Sequence, residues 1–128
     1  WLEEGRRYKA VDYLNAIHTM HALGRRASQE FVKFDLLLTP TIVKEKLELG
    51  TIKTNHCDID AHLNYLFRDF APHLAIFNQT GGPAISLPLW KIDHDLPLGM
   101  HFAAKIGDEG KLISLASQFE QMVSWKIN

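Results

Sequence analysis

The stretch Phe77-Asn-Gln-Thr-Gly-Gly-Pro-Ala-Ile-Ser-Leu-Pro-Leu-Trp90 constrains the path of this chain more than any other segment. It places adjacent glycines and a proline between a helical pattern and an apolar run of strand character. Glycine tolerates a positive φ and proline fixes φ, so Gly81-Gly82-Pro83 is predicted to form a tight corner. A phosphate-binding loop is disfavoured, because such a loop runs from a strand into a helix and carries a lysine that is missing here.

The composition of the chain is ordinary for a single domain and narrows the classes of partner. The chain has 128 residues, of which 46% are hydrophobic and 23% charged. Its formal net charge of −1 gives no reason to expect nucleic acid or an anionic membrane as a partner. No apolar run approaches the ~20 residues of a membrane-spanning helix. The single cysteine, Cys57, excludes an internal disulfide and predicts a cytoplasmic location.

The first third of the chain has the pattern of a long amphipathic helix. Apolar side chains recur at three- and four-residue steps from residue 3 to about residue 34. At 1.5 Å per residue, one helix of this length would extend roughly 40 Å. Gly24 and Ala27 narrow its apolar face, so another element is expected to approach closely there.

Two shorter helices are predicted in the middle of the chain. Residues 59–70 carry a second helical stripe, and Asp58 or Asp60 can cap its first turn. Pro72 is expected to break this helix and to begin a short one, because a proline at the first helical position loses no hydrogen bond. That short helix is expected to end by Thr80-Gly81.

Three strands are predicted between and after these helices. Leu36-Leu37-Leu38 is consecutively apolar, which predicts a strand covered on both faces, and Pro40 is expected to end it. Residues 84–89 and 98–104 read as two strands joined by a polar, turn-forming segment, so an antiparallel pairing is predicted.

A final helix completes an α/β pattern. Asp108 and Glu109 favour a helix N-terminus through capping and the helix dipole. The helix that follows has one apolar stripe, formed by Leu112, Leu115, Ala116, Phe119, Met122 and Val123. The element order is therefore helix, strand, loop, helix, hairpin, helix.

The segment His56-Cys-Asp-Ile-Asp-Ala-His62 contains residue types that zinc prefers, but its spacing is wrong for a metal site. A structural zinc site pairs its ligands at spacings such as C-x2-C, and this segment has one thiol and no clear fourth ligand. A Cys-His-Asp nucleophilic set is disfavoured, because such sets are assembled from distant parts of a chain. The segment is interpreted as a helix-capping, solvent-facing stretch without metal.

The remaining candidate groups for acid–base chemistry are histidines. His94 lies in a predicted turn and is expected to be exposed, while His101 lies on a predicted strand. A histidine on a strand more often packs or hydrogen-bonds than catalyses. No acid–base pair involving His73, His94 or His101 follows from their spacing.

The ordered motifs FDLLLTPT, FNQTGGPAISLPL and DLPLGMHFAAKIGDEGKLISLASQFEQ resemble the C-terminal part of the amidase signature family. The Phe-Asn-x-Thr-Gly form looks most like the branch that contains 6-aminohexanoate cyclic dimer hydrolases. The chain departs from the family pattern at His101, where glutamine is common, and at Asp95, where glycine usually precedes Leu-Pro. The matching residues are Asp35, Thr39, Pro40, Thr41, Asn78, Gly81, Pro83, Ala84, Ser86, Pro88, Leu96, Pro97, Gly99, Asp108, Glu109 and Leu112.

The resemblance implies an α/β fold in which a few strands of a mixed sheet are covered by helices. Family members hydrolyse amide bonds with a Ser–cis-Ser–Lys triad set in a Gly/Ser-rich region, and these 128 residues contain no such region. It follows that residues 1–128 form the C-terminal portion of an amidase domain and include no catalytic residue. The implied reaction is hydrolysis of linear or cyclic carboxamide bonds, rather than peptide bonds, by residues upstream.

The resemblance also assigns roles within the chain. Asn78, Thr80 and Gly81 are expected to border the substrate pocket. The expected partner is a small-molecule amide in the full-length enzyme, with no cofactor, metal, nucleic acid or membrane. A divided domain exposes apolar faces, so this chain alone is expected to be inactive and to form a homo-oligomer. The residues expected to serve the fold are Thr39, Pro40, Pro83, Pro88 and Gly99.

Two alternatives stay open at this point. The amidase subunit of a tRNA-dependent amidotransferase shares the family fold. A complete small binding or dimerisation module belongs to a different class, and it should cover its own sheet. The doubly apolar strand and the very long helix favour a portion of a larger enzyme over such a module.

Overall fold

The computed structural model describes residues 1–44, 47–53, 55, 58–92 and 96–123. Five α-helices, one π-helix and three strands are found in this part of the chain. In chain order, the elements are α1 (Leu2–Gly5), α2 (Ala10–Glu30), β1 (Leu37–Pro40), α3 (Ile59–Asn64), the π-helix (Tyr65–Phe70), α4 (Ala75–Thr80), β2 (Ala84–Ile92), β3 (Leu96–Ala103) and α5 (Glu109–Met122).

The strands form one antiparallel sheet in the order β1-β3-β2. The predicted antiparallel hairpin is confirmed, because β2 pairs with β3 along nearly its whole length. His101 of β3 lies opposite Thr39 of β1 on one side and Ser86 of β2 on the other. The prediction that Pro40 ends the first strand is also confirmed. A register irregularity lies between Pro88 and Trp90 in the outer strand β2.

The core lies between the sheet and α5. Leu87, Phe102, Ala104 and Leu112 are buried there in one cluster. Partly buried side chains from β2, β3 and α5 pack around it, including Phe119, whose ring centroid is 5.6 Å from that of Phe102. Four residues of the predicted apolar stripe, Leu112, Leu115, Ala116 and Phe119, therefore face the sheet, whereas Met122 is 79% exposed.

The single long helix predicted for residues 3–34 is wrong. The chain forms the short α1 and then α2, which has 21 residues. At the break, Lys9 is extended, with φ −93° and ψ 162°, and its backbone N–H donates a hydrogen bond of 2.8 Å to the Asp12 carboxylate. A local hydrogen bond from the backbone to a side chain competes with continuation of a helix. The Asp12 carboxylate therefore caps a new helix, which begins at Ala10.

The middle helices differ from the prediction in two ways, because residues 59–70 form α3 and then the π-helix, and the short helix begins later than predicted. Asp58 caps α3 as predicted, since its side chain accepts a bond from the Ala61 backbone N–H at 2.9 Å. The short helix begins at Ala75 and not at Pro72. Ala71 leaves the helical region, with φ −133° and ψ 60°, as proline disfavours the α conformation in the residue before it.

The first strand is not covered on both faces within this chain. Leu36 and Leu37 are half-buried, whereas Leu38 is 51% exposed. The expectation that both faces are covered is therefore not met by the described residues. In the described part of the chain, no helix is both long enough and apolar enough to cross a membrane.

Candidate functional site

The glycine corner lies at the point where α4 ends and β2 begins. Gly81 has φ 72° and ψ 16°, and its N–H donates a bond of 2.9 Å to the Phe77 carbonyl. This left-handed conformation favours glycine, so the predicted corner is confirmed. The Pro83 carbonyl accepts a bond of 3.1 Å from the Ala104 N–H, which fixes the start of the strand to the sheet.

Phe77 holds this corner against the rest of the chain. Its side chain is 8% exposed, and its ring lies 6.3 Å from that of Phe31 in the turn after α2 and 5.1 Å from that of His101 in β3. The close approach extends to Gly82, where an added Cβ would lie 3.3 Å from Phe77 Cδ1. One buried aromatic side chain therefore connects two helices, the corner and the sheet.

The three residues expected to border a substrate pocket lie together at this corner but in different environments. Asn78 and Gly81 are exposed, while Thr80 is half-buried. The Thr80 hydroxyl donates a bond of 2.7 Å to the Ile76 carbonyl. Their role at a pocket border stays a prediction, because their position alone does not identify a ligand.

A groove of about 460 Å³ lies beside this corner, between α2 and α4. The predicted close approach at Gly24 is confirmed, since a Cβ added there would lie 3.4 Å from Thr80 Cγ2. Thr80 lines the groove, whereas Asn78 and Gly81 do not. The lining residues are Met20, His21, Gly24, Arg25, Ser28, Gln29, Gln79, Thr80 and Ile106.

A pair of hydroxyl groups lies on the same sheet, across Gly99. Thr41 Oγ1 and Ser86 Oγ are 2.5 Å apart. A Cβ added to Gly99 would lie 2.7 Å from each of these oxygens, so the absence of a side chain leaves room for the pair. Glycine is therefore favoured at position 99, because a side chain there would displace the two hydroxyl groups.

The neighbouring row of the sheet pairs Thr39 with His101. The Thr39 hydroxyl lies 3.1 Å from His101 Nδ1, and His101 is only 4% exposed. Burial lowers the pKa of His101, and its electrostatic interaction with His73 lowers that pKa further. His101 thus packs and hydrogen-bonds, as expected of a histidine on a strand.

Acidification is expected to destabilise the chain through His101. Its folded-state pKa lies below the ordinary value of 6.5, so the folded state favours the neutral ring. The stabilisation is complete above pH 6.5 and is lost as the pH falls through the folded-state pKa. Urea unfolding at a series of pH values should show a smaller decline for His101→Gln, which keeps a group able to bond Thr39. An equal decline in both proteins would contradict this assignment.

The serines of the described chain all lie in helices or strands. Ser86 is bonded to Thr41, and Ser28, Ser114 and Ser117 lie on α2 and α5. In residues 1–123, apart from the undescribed gaps, no three His, Cys, Asp or Glu side chains are grouped to hold a metal ion. The sequence expectations for His56, Cys57, His94 and Asp95 fall outside the described residues.

Sequence reasoning did not find two features of this region. The groove was missed because its walls come from helices separated by more than forty residues, although the narrow face at Gly24 was a partial signal. The pairing of Thr39 with His101 was missed because it depends on strand register. A correct register would have been needed to find it.

Comparison with known proteins identifies the family. The family model described as Amidase matches residues 2–113. A Mycobacterium leprae protein named as an amidase, AmiC, is 34% identical over 110 residues, covering 86% of this chain and 23% of the relative. The 6-aminohexanoate-cyclic-dimer hydrolase of Pseudomonas sp. strain NK87 is 31% identical over 96 residues, covering 72% of this chain and 20% of the relative.

Two further matches extend the comparison. A glutamyl-tRNA(Gln) amidotransferase subunit from Aliarcobacter butzleri is 27% identical over 119 residues, covering 93% of this chain and 24% of the relative. A solved structure of 6-aminohexanoate cyclic dimer hydrolase superposes with a TM-score of 0.81 at 21% identity, over 96% of this chain and 26% of that chain. This chain thus spans about a quarter of the proteins it matches, and the expected fold is confirmed. The match to the family model over nearly the whole chain shows that the protein belongs to the amidase family.

Proposed function

We propose that this chain is the C-terminal portion of an amidase and that it supports and borders the substrate pocket of the complete enzyme. The observation that carries the proposal is the match to 96% of this chain but only 26% of a cyclic dimer hydrolase chain. The remaining three quarters would supply the catalytic residues, which the family resemblance describes as a Ser–cis-Ser–Lys triad. The single cysteine favours a cytoplasmic location for the enzyme.

The surface of the chain supports this assignment. Tyr13 and Leu14 of α2 are 66% and 53% exposed, and Ile113 of α5 is 67% exposed. Large apolar side chains exposed on several elements indicate surfaces that additional protein covers. The outer strand β1 also has a free edge among the described strands, to which another strand can be added.

The proposed substrate is a linear or cyclic carboxamide. The relatives named as amidase and as cyclic dimer hydrolase both indicate hydrolysis of a C–N bond. In the proposed mechanism, an upstream lysine activates the bridging serine, which deprotonates the nucleophilic serine, and backbone N–H groups hold the oxyanion. The glycine corner at Asn78, Thr80 and Gly81 would border the pocket in which this reaction takes place.

The second candidate is the amidase subunit of a tRNA-dependent amidotransferase. It is favoured by the match of 93% of this chain to a glutamyl-tRNA(Gln) amidotransferase subunit. Such a subunit would work with partner proteins and tRNA. An amidase would hydrolyse small amides by itself.

Amide hydrolysis distinguishes these functions. We expect the full-length protein to hydrolyse an aryl amide or a cyclic amide without tRNA, and the 128-residue chain to hydrolyse neither. Activity that appears only with partner subunits and tRNA would favour the amidotransferase. Turnover by the 128-residue chain alone that is abolished by Ser86→Ala would contradict the proposal that the catalytic residues lie upstream.

Self-association of the 128-residue chain is the second expected result. Burial of apolar area stabilises by about 25 cal/mol per Å², so the exposed faces favour a homo-oligomer. Light scattering should show a mass above that of the monomer, and Leu38→Lys on the β1 edge should lower it, because charge opposes edge pairing. A compact monomer at high concentration would instead favour a self-sufficient module.

A further inference from the structure

The helix α4 is a short segment that lies between two breaks in the backbone. It has six residues, of which Phe77 alone is buried. Before it, Ala71 leaves the helical region at φ −133° and ψ 60°, and after it Gly81 adopts the left-handed conformation at φ 72°. Because neither neighbouring element continues α4, the contacts of Phe77 decide where this helix and the glycine corner lie.

On the sheet, Phe77 packs against an ionisable side chain. The ring of His101, in the central strand β3, lies 5.1 Å from that of Phe77, and the two planes are inclined by 50°. His101 is 4% exposed, and its Nδ1 lies 3.1 Å from the Thr39 hydroxyl, which fixes the orientation of the imidazole. Burial of an imidazolium costs more than burial of the neutral ring, so this packing favours neutral His101.

The charged surroundings of His101 also oppose its protonation. The strands beside β3 place Thr39 and Ser86 opposite it, and both are neutral. Neither α4 nor β1 contains a charged residue, and Lys91 lies near the other end of β2. His73, half-buried just before α4, is the group whose charge acts on His101, and it lowers the pKa of His101 in addition to burial.

We propose that His101 is a positioning residue of the full-length amidase, whose neutral ring holds Phe77 and the glycine corner in place at the substrate pocket. This inference rests on the proposed function, in which Asn78, Thr80 and Gly81 border that pocket. A charged His101 is unstable while it is buried against Phe77, so acid moves α4 and the corner away from the sheet. The corner is held fully above pH 6.5, and it is released as the pH falls through the folded-state pKa of His101.

The first measurement is the pH dependence of aryl-amide hydrolysis by the full-length enzyme and by its His101→Gln variant. Glutamine carries no charge and keeps a group able to bond Thr39. From about pH 8 to about pH 5, KM should rise about threefold more in wild type than in the variant. The kcat values should change alike, because upstream residues perform the reaction. The matched control is His18→Gln, which removes an exposed histidine of α2 and should follow wild type.

The second measurement needs no enzymatic activity. Amide hydrogen exchange of the full-length protein, corrected for the effect of pH on the intrinsic rate, is followed by mass spectrometry in peptides covering residues 74–83. The N–H groups of Phe77, Asn78 and Gly81 form hydrogen bonds within this segment, so their protection reports whether α4 stays formed and packed. The internal reference is α5, which packs on Phe102 and hence on the opposite face of the sheet.

Acidification of the wild-type protein should lower protection in residues 74–83 by about threefold before protection in α5 changes, and His101→Gln should keep it. The proposal is overturned if both segments lose protection together, if the variant loses it as wild type does, or if an active enzyme shows the same rise in KM with and without His101. Absence of amide hydrolysis at every pH would refute the proposed function, and the exchange result would still decide the role of His101. If His101→Gln does not fold, the comparison of the two wild-type segments decides.

Discussion

Replacement of Phe77 by alanine is expected to lower the free energy of unfolding by about 3–5 kcal/mol, the range for truncating a buried aromatic side chain. Phe77 is 8% exposed and contacts the rings of Phe31 and His101. The mutation would leave a cavity where α2, α4 and the sheet meet. Because small domains are marginally stable, this loss is expected to unfold much of the chain.

The matched control for this experiment is Phe67→Ala. Phe67 lies in the π-helix and is 50% exposed, so its truncation removes less buried area and should cost roughly 1 kcal/mol or less. Urea unfolding of both variants at equal protein concentration would measure the difference. Equal losses for Phe77→Ala and Phe67→Ala would show that Phe77 does not hold the corner.

Gly99→Ala is expected to lower the free energy of unfolding by about 1–3 kcal/mol, as overpacking usually does. The added methyl group would lie 2.7 Å from both Thr41 Oγ1 and Ser86 Oγ. Ser86 belongs to β2 and Thr41 directly follows β1, so the pair joins the strands on either side of β3. The strands must separate or the hydroxyl pair must break, so both stability and the sheet register are at risk.

Gly110→Ala provides the control for this second prediction. Gly110 lies in α5 with no atom within 4 Å of an added Cβ, so alanine should stabilise the helix by up to about 1 kcal/mol. Thermal unfolding should therefore shift in opposite directions for the two variants. A Gly99→Ala protein as stable as wild type would show that the sheet accommodates the methyl group without strain.

Local chemistry made several features predictable. Gly81 was expected to end a helix because glycine accepts a positive φ, and it does so at φ 72°. Asp58 was expected to cap a helix because its side chain can accept a bond from the first turn, and it bonds the Ala61 N–H. Each of these features depends on residues within three or four positions of one another.

Competing local and distant interactions decided the features that were predicted wrongly. The periodic apolar pattern over residues 3–34 carries no information about the hydrogen bond from the Lys9 N–H to the Asp12 carboxylate. This bond lies in the first turn of α2, where the new helix begins. The consecutive leucines of β1 predict a covered strand, yet Leu38 is 51% exposed because the described chain places no element over it. Periodicity measures which faces are apolar, whereas coverage depends on what else is present.

The sequence by itself determined the order of the strands and of the main helices, the glycine corner, the antiparallel hairpin and the resemblance to amidases. These features follow from residue types and short spacings, which are local properties of the sequence and do not depend on packing. Only the tertiary structure placed Thr39 beside His101, Thr80 against Gly24 and Phe77 between two helices and the sheet. These contacts join residues distant in the chain, and their geometry depends on strand register and helix packing, which no local pattern specifies.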